Sequence, residues 1–273
     1  MKTNLKIAIL LTCHNRVKNT IQCLKKISNY TLYDIYLVDD GSTDNTSFLV
    51  KKQLPFVNII QGSGNLFWNG GMRKAWDTAL KEKEYNFYIW LNDDTYLYEN
   101  AIDNIINDYN SIEKNTIIIS GLCEDHMNSN KFSYGLRDHT YKPILPSGKP
   151  QKGKYLNGNF VLVPSIVVKK IGILSQDYTH GMGDYDYGLR LIEQGGAIYS
   201  SSNYLASCEP NGLPRWCNPN YSISQRWEHF KSPNGLNIKE YTLFRKRHWK
   251  KSWRFDIIKA YLKLIFPSIY PKK

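Results

Sequence analysis

Nowhere in the 273 residues does an apolar run approach the roughly 20 residues that a bilayer-crossing helix needs, so no membrane span is expected. The five cysteines, Cys13, Cys23, Cys123, Cys208 and Cys217, contain no C-x-x-C pair, and their number is odd. The odd count, with no signal peptide expected, speaks for reduced thiols in a cytoplasm. Cys208 and Cys217, near Glu209, are the pair best spaced to bridge or to hold zinc, but the other ligands of a tetrahedral site are not evident. No secretory leader is expected either. Lys2, Lys6 and the run 7–11 before Thr12-Cys13 loosely mimic a lipoprotein signal, but the run is short and the residue before the cysteine is Thr rather than Gly or Ala. It reads instead as a first strand. No G-x-G-x-x-G follows that strand, which disfavours a dehydrogenase. No internal repeat is present. Acid is scarce in one region: residues 225–273 hold 3 of the 24 Asp/Glu but 13 of the 36 Lys/Arg, so +10 of the net +12 sits in the tail. The overall basicity therefore says little about the body's chemistry.

What the chain has is two Asp-Asp pairs, each where an apolar run stops. Asp39-Asp40 follows Ile35-Tyr36-Leu37-Val38, and Asp93-Asp94 follows Phe87–Leu91 with Asn92 between. Short β-rich runs read as buried parallel strands, and in open α/β sheets the ligand crevice lies at their carboxyl ends. Adjacent carboxylates repel, so a pair held close calls for a cation or donors. Oxygen-only ligands suit Mg²⁺ or Mn²⁺ shared with substrate phosphates. The plainer reading is two acidic turns capping helices. Two pairs, both at strand ends, favour the metal-nucleotide reading.

Strand-like and helix-like segments alternate over the first 120 residues. Strands are expected at 5–12, 35–38, 57–60, 87–91 and 116–120, and helices at 16–28, from about 42 to 52, 70–83 and 99–111. This alternation implies one α/β domain whose central sheet is mostly parallel and flanked by helices. Residues 124–154 dissolve into polar, Gly- and Pro-containing sequence, expected as an inserted hairpin or functional loop. A strand at 159–163, with Pro164 opening a helix, and a helix at 184–194 ended by Gly195-Gly196 follow. Residues 200–222 read as loop, and the tail as helix.

Taken together, five motifs stand in order. They are Leu11-Thr12-Cys13-His14-Asn15-Arg16, Val38-Asp39-Asp40-Gly41-Ser42-Thr43-Asp44, Gly64-Asn65-Leu66-Phe67-Trp68-Asn69-Gly70-Gly71, Leu91-Asn92-Asp93-Asp94-Thr95 and Gly183-Asp184-Tyr185-Asp186-Tyr187-Gly188-Leu189-Arg190. This set resembles the family-2 glycosyltransferases of the GT-A fold, particularly bacterial rhamnosyltransferase-like members, over about residues 5–200. The resemblance implies a GT-A Rossmann-like domain at 1–222, with a nucleotide-sugar-binding half at 1–120 and an acceptor and catalytic half at 121–222. Residues 223–273 are then a basic, amphipathic, helical C-terminal extension.

The resemblance implies that Thr12, Asn15, Arg16, Asp39, Asp40, Asn92 and Asp93 bind the nucleotide. It makes Asp94 the ligand of a Mn²⁺ or Mg²⁺ ion and Asp184 the general base of an inverting transfer. The family's Asp-x-Asp appears as Asn92-Asp93-Asp94, with an amide in its first position. The Glu before the base is Gly183, and no His follows the catalytic helix before His229. Gly70 and Gly71 would let backbone N–H groups approach a diphosphate at a helix start, with Arg73 or Lys74 adding charge; the alternative is a Gly-rich turn with an exposed basic pair. Asp44 is expected to cap a helix. Asp186 and Arg190, at i and i+4, are expected to form an ion pair, and Asp184 also fits an N-cap.

In the tail, residues 245–254 carry six Lys/Arg interleaved with Trp249 and Trp253 and no acid. Residues 253–266 then place Trp253, Ile257, Ile258, Tyr261, Leu264 and Ile265 on an apolar face, with Asp256, Lys259 and Lys263 opposite. Such a segment, 245–266, suits an in-plane anchor on an anionic membrane surface. The same features admit a helix docked on the body or a homo-oligomer interface; nucleic acid is not expected as a partner. A body ending near Lys239 is expected to stay soluble.

The functional expectation is a cytoplasmic enzyme on the inner face of the cell membrane. It would move a hexosyl or deoxyhexosyl group from a nucleotide-diphosphate sugar to a saccharide acceptor, taken as lipid-linked, in bacterial surface polysaccharide synthesis. A nucleotidyltransferase is the nearest rival, but its Gly-rich, basic first loop is missing after Leu11. A dehalogenase-type phosphatase would need Asp-x-Asp-Gly. A silent nucleic-acid or scaffold protein with a degenerate site is the rival from outside the enzymes.

Overall fold

The computed structural model describes residues 5–27 and 32–269; Ser28, the expected end of the first helix, lies outside them. Strands β1 (Ile7–Cys13), β2 (Asp34–Asp39), β3 (Asn58–Gln61) and β4 (Phe87–Leu91) alternate with helices α1 (Val17–Lys25), α2 (Thr46–Gln53) and α3 (Phe67–Glu82). A short β5 (Tyr96–Leu97) leads into α4 (Ala101–Asn110), and β6 (Ile117–Asp125) and β7 (Asn128–Tyr134) form a hairpin. Then come β8 (Lys152–Gly153), β9 (Phe160–Pro164), α5 (Ser165–Ile171), α6 (Gly183–Glu193) and β10 (Ala197–Ser207). Helices α7 (Ile223–Lys231), α8 (Ile238–His248) and α9 (Trp253–Ile265) follow.

The sheet order is β3-β2-β1-β4-β9-β6-β10-β5, with β7 on β6 and β8 on β10. Six strands (β1, β2, β3, β4, β6 and β10) share one direction, and β5, β7, β8 and β9 oppose it. The expected mostly parallel sheet is therefore present, interrupted where β9 lies antiparallel between β4 and β6. The central strands β1, β2, β4 and β9 are buried on both sides because helices cover both faces. Leu24, Val50 and Ile105 of α1, α2 and α4 pack one face with Ile9, Leu37 and Ile89. Trp76, Val167 and Tyr187 of α3, α5 and α6 pack the other with Leu10, Tyr88 and Trp90.

Helix α6 ends as expected. Gly195 adopts φ 79°, its N–H reaches Ile192 O, and Gly196 N–H reaches Leu191 O, the paired bonds of a Schellman cap. The loop expected at 200–222 is corrected in its first part, because 197–207 form β10 in the sheet interior. Ser200 and Ser201 are buried there, and their hydroxyls accept from Gln151 N and Leu122 N across a register shift. A bulge thus admits polar residues to a central strand. Asp44 is not the N-cap, which is Asn45 in α2 and Arg16 in α1, but it accepts from Thr46 N and Val17 N and so satisfies the first amide of both helices.

The C-terminal helices are built onto this frame. Phe244 of α8 packs with Tyr155, Tyr178 and Leu189, and Ala260 and Leu264 of α9 pack with Trp216, Cys217 and Phe230. Helix α9 is apolar on two sides. Phe255, Ile258, Leu262 and Ile265, spaced three and four apart, point outward and are exposed. The expected single apolar face is thus divided: Leu264 belongs to the docked side, whereas Phe255 and Leu262 join the outer stripe. Among the described residues no helix is long and apolar enough to cross a membrane.

Candidate active site

The carboxyl ends of β1, β2 and β4 open into a cavity of about 560 Å³. Thr12, Arg16, Asp40, Asn92, Asp93, Asp94 and Asp184 all line it. Asn15, Asp39, Gly70, Gly71 and Arg73 do not, and each has another task. Asp39 accepts from Ser42 N and Ser47 N, which fixes the turn into α2. Asn15, at φ 51°, accepts from Thr43 N and clips the first loop to the second. Gly71 lets α3 lie against β1, since a Cβ there would meet Thr12 Oγ1 at 2.1 Å. Arg73 donates to Ser175 O and Lys74 to Gln61 O.

The expected diphosphate cradle at the start of α3 needs correction, because its free N–H groups already have acceptors. Phe67 N donates to Asp40 Oδ2, Trp68 N to His180 Nδ1, and Asn69 N and Gly70 N to Thr179 O. Asp40 also accepts from Gly64 N and Leu66 N at 2.8 Å each. A helix N-terminus with its donors satisfied is no anion site.

The second pair has its cation. Arg16 reaches Asp94 Oδ2 at 2.9 Å and Asp93 Oδ1 at 3.3 Å, so one guanidinium spans both carboxylates. Asp93 is buried and also accepts from Thr20 Oγ1. Burial pushes it up to about 7 against the pull of Arg16, and the neighbouring Asp94 adds to the rise. Asp94 is about a third exposed, and its Oδ1 faces the Cys208 thiol at 3.8 Å. Asn92 Oδ1 accepts from the Trp68 indole at 2.7 Å.

This donor set can be tested against a divalent ion. Among the described residues no three His, Cys, Asp or Glu gather as a cation site. All five cysteines are free and buried, and burial beside Asp94 pushes Cys208 up to about 12, which keeps it a thiol. Asp94 alone among the triplet presents a carboxylate that is part exposed. One carboxylate fits an ion shared with substrate phosphates, not a ready-made cage.

Asp184 stands on another wall of the same cavity. It is the second residue of α6, whose N-cap is Met182 at φ 68°, so Asp184 is not itself the cap. Its Oδ2 accepts from Gly158 N at 3.0 Å and its Oδ1 from Tyr185 N at 2.8 Å. Burial raises it to about 6 despite those donors. Gly183 has a steric reason: a Cβ there would meet Asn69 Oδ1 at 1.9 Å. Asp186, two residues on, points away into a fully buried node. It pairs with Arg190 Nε at 2.8 Å, as expected, and with Arg247 Nη1 at 2.8 Å and His248 Nε2 at 3.0 Å.

Sequence reasoning gave no role to His14, Trp68, Tyr134, Asn157, Gly158, His180 or Asn211, which complete the walls. His180 had a signal, a lone imidazole four residues before Asp184 in a Gly-rich stretch. The others come from loops whose folding together depends on tertiary contacts.

An α/β sheet with strand-end carboxylates around one cleft, and a buried carboxylate on a following helix, defines the GT-A class of architecture. The family model described as glycosyl transferase family 2 matches residues 8–165. The chain belongs to that family. An uncharacterized glycosyltransferase of Rickettsia typhi is 27% identical over 171 residues, covering 60% of this chain and 50% of the relative. The hyaluronan synthase of Streptococcus pyogenes is 25% identical over 113 residues, covering 38% and 27%. The chain thus spans half or less of the length of these relatives. Among solved structures, GalNAc-T7 with UDP, GalNAc and Mn²⁺ superposes with a TM-score of 0.59 at 14% identity, covering 96% of this chain and 58% of that one. The Pyrobaculum calidifontis mannosyltransferase PcManGT with GDP-Man and Mn²⁺ gives 0.56 at 10%, covering 100% and 77%.

Proposed function

We propose that the chain transfers a hexosyl or deoxyhexosyl group from a nucleoside diphosphate to a hydroxyl of a saccharide acceptor, with inversion, and that Asp184 is the general base. The observation that carries this is the Asp184 carboxylate, raised to about 6 in the same cavity as Arg16 and Asp94. A base titrating near neutral pH can take the acceptor's proton as the hydroxyl attacks. Two backbone N–H groups fix its oxygens, which orients the attack. Thr12, Asp40 and Asn92 with Asp93 form the nucleoside side of the cavity in this reading. Arg16 faces the diphosphate. Asp94, together with the donor's phosphates, would hold a Mn²⁺ or Mg²⁺ ion, which would supply positive charge to the diphosphate; both solved structures named above contain Mn²⁺.

In this reading residues 1–120 carry the donor and 121–222 the acceptor and the base. The acceptor is lipid-linked and the pathway builds a bacterial surface polysaccharide. Catalysis takes place on the cytoplasmic face of the membrane, approached through 245–266.

The test is a thermal-shift series with UDP, GDP and dTDP, with and without Mn²⁺. A native-state ligand raises the melting temperature. One nucleotide should shift the wild type in a Mn²⁺-dependent way and leave Asp94→Ala unmoved. An Asp94→Ala protein with unaltered Mn²⁺ dependence overturns the metal assignment.

A further inference from the structure

A second cavity of about 240 Å³ adjoins the first and shares Tyr134, Asn157 and Asn211 with it. It lies against the backbone on both sides of the proposed base. Tyr185 follows Asp184 in the chain, and Asn157 precedes Gly158, whose N–H holds Asp184 Oδ2. Phe132, Tyr134 and Tyr185 give it aromatic walls, and Asn157 and Asn211 give it amides. Rings with nearby hydrogen-bonding groups suit a molecule with apolar faces and a polar rim, such as a pyranose.

Its charge is one-sided. Among the lining residues Arg137 carries the only charge, and none is acidic. The backbone of Arg137 is fixed, donating to Tyr155 O at 3.1 Å and accepting from Lys154 N and Tyr155 N. Its guanidinium lies over the Phe132 ring and spends one N–H on Tyr141 O. The adjacent Asp138 carboxylate is turned to Thr140 and Lys142. A half-buried guanidinium on a fixed backbone, which no carboxylate in its wall balances, favours an anionic ligand.

We propose that this second cavity is the acceptor subsite and that it takes a saccharide bearing an anionic group, a sugar carboxylate or a phosphate, with Arg137 as the residue that selects it. The proposal rests on the transferase reading for its catalytic meaning, but its binding test does not. Ligand-observed NMR on the full chain would use p-nitrophenyl β-glucuronide, p-nitrophenyl β-glucoside and glucose 1-phosphate as probes. The same samples would be titrated with the nucleoside diphosphate that stabilises the first cavity.

At least one anionic probe should bind about tenfold more tightly than the glucoside, and Arg137→Gln should remove that margin. The tighter of the two names the carboxylate or the phosphate. Gly212→Trp serves as a second variant. Gly212 lines the cavity and a Cβ there meets nothing within 4 Å, so a large side chain can be introduced at this wall without a clash at Cβ, and all three probes should lose binding. Nucleotide binding should be unchanged in both variants. Equal binding of charged and neutral probes, or an anionic margin that survives Arg137→Gln, overturns the proposal. Anionic binding that follows Arg137 in a protein deaf to every nucleotide would uphold the subsite and sink the transferase reading instead.

Discussion

Asp184 and Asp186 stand two residues apart on one helix, and their environments assign them opposite tasks. Asp184 meets two backbone N–H groups and no cation, and burial holds it at about 6. Asp186 is pushed up by burial too, but hydrogen bonds from His248, Arg247 and Arg190 outweigh that and hold it at about 2. A base must be ionised, so transfer by the full chain should fall about tenfold per pH unit below about 6, and a plateau above it is expected. Asp184→Asn should reduce transfer at least about a hundredfold with nucleotide binding retained. An active Asp184→Asn beside a folded but dead Asp186→Asn would move the base to Asp186. The spacing told the sequence reader that only one of these carboxylates can face a substrate. Which one was legible from Arg190, but Arg247 and His248 lie about sixty residues away and gave no local sign. Likewise Asp39 and Asp40 are alike in sequence, yet only Asp40 reaches the cavity, because side chains alternate at a strand end.

The same node sets the behaviour of whole elements. Helix α8 holds α6 through Asp186 and holds the preceding loop through Arg247 to Asp177 and Glu240 to Thr179 N, the latter at 2.9 Å. Asp186 has a folded value of about 2, below its unfolded value of about 3.9, so its ion pairs add stability above about pH 4. That stability is lost as pH falls through about 2, and it amounts to about 3 kcal/mol. Calorimetric melts at pH 5, 3 and 2 should fall more steeply for wild type than for Asp186→Asn. Arg247→Ala should cost on the order of 2–3 kcal/mol in urea denaturation, since Arg190 and His248 still face the carboxylate. The expectation that a body ending near Lys239 stays soluble is therefore revised: without Glu240, Arg247 and His248 the chain should melt lower and aggregate, as static light scattering during a melt would show. Legibility was uneven at this scale. The helices and parallel strands of the first 120 residues are periodic and were readable. Strand β10 was hidden because its serines are satisfied at a bulge; β9 was read as a strand, but nothing local reveals that it enters the sheet backwards.

At the scale of the molecule, the sequence left the tail open between a docked helix and a surface anchor, and α9 has the features of both. Leu264 faces the body while Phe255, Ile258, Leu262 and Ile265 face outward beside the exposed Lys250, Lys251, Arg254 and Lys259. Arg245 and Arg247 are committed to Asp256, Asp177 and Asp186, so fewer charges remain outside than the sequence offers. Each basic residue near an anionic surface contributes about 1 kcal/mol, and four suffice for reversible attachment. The full chain should sediment with anionic but not neutral vesicles, and Ile258→Glu with Leu262→Glu should abolish this without lowering nucleotide binding. Indifference to anionic vesicles removes the membrane role. The front of α3 carries a consequence on a different footing. Its first amides are accepted by Asp40 from one half of the chain and by Thr179 and His180 from the other. Neither half can loosen without freeing amides the other relies on, so the two should open as one cooperative unit. In native-state hydrogen exchange the amides of Phe67, Trp68, Asn69 and Gly70 should share one opening free energy, a clasp that joins the two halves beside the Asn69 and Arg73 side-chain bonds to the same loop.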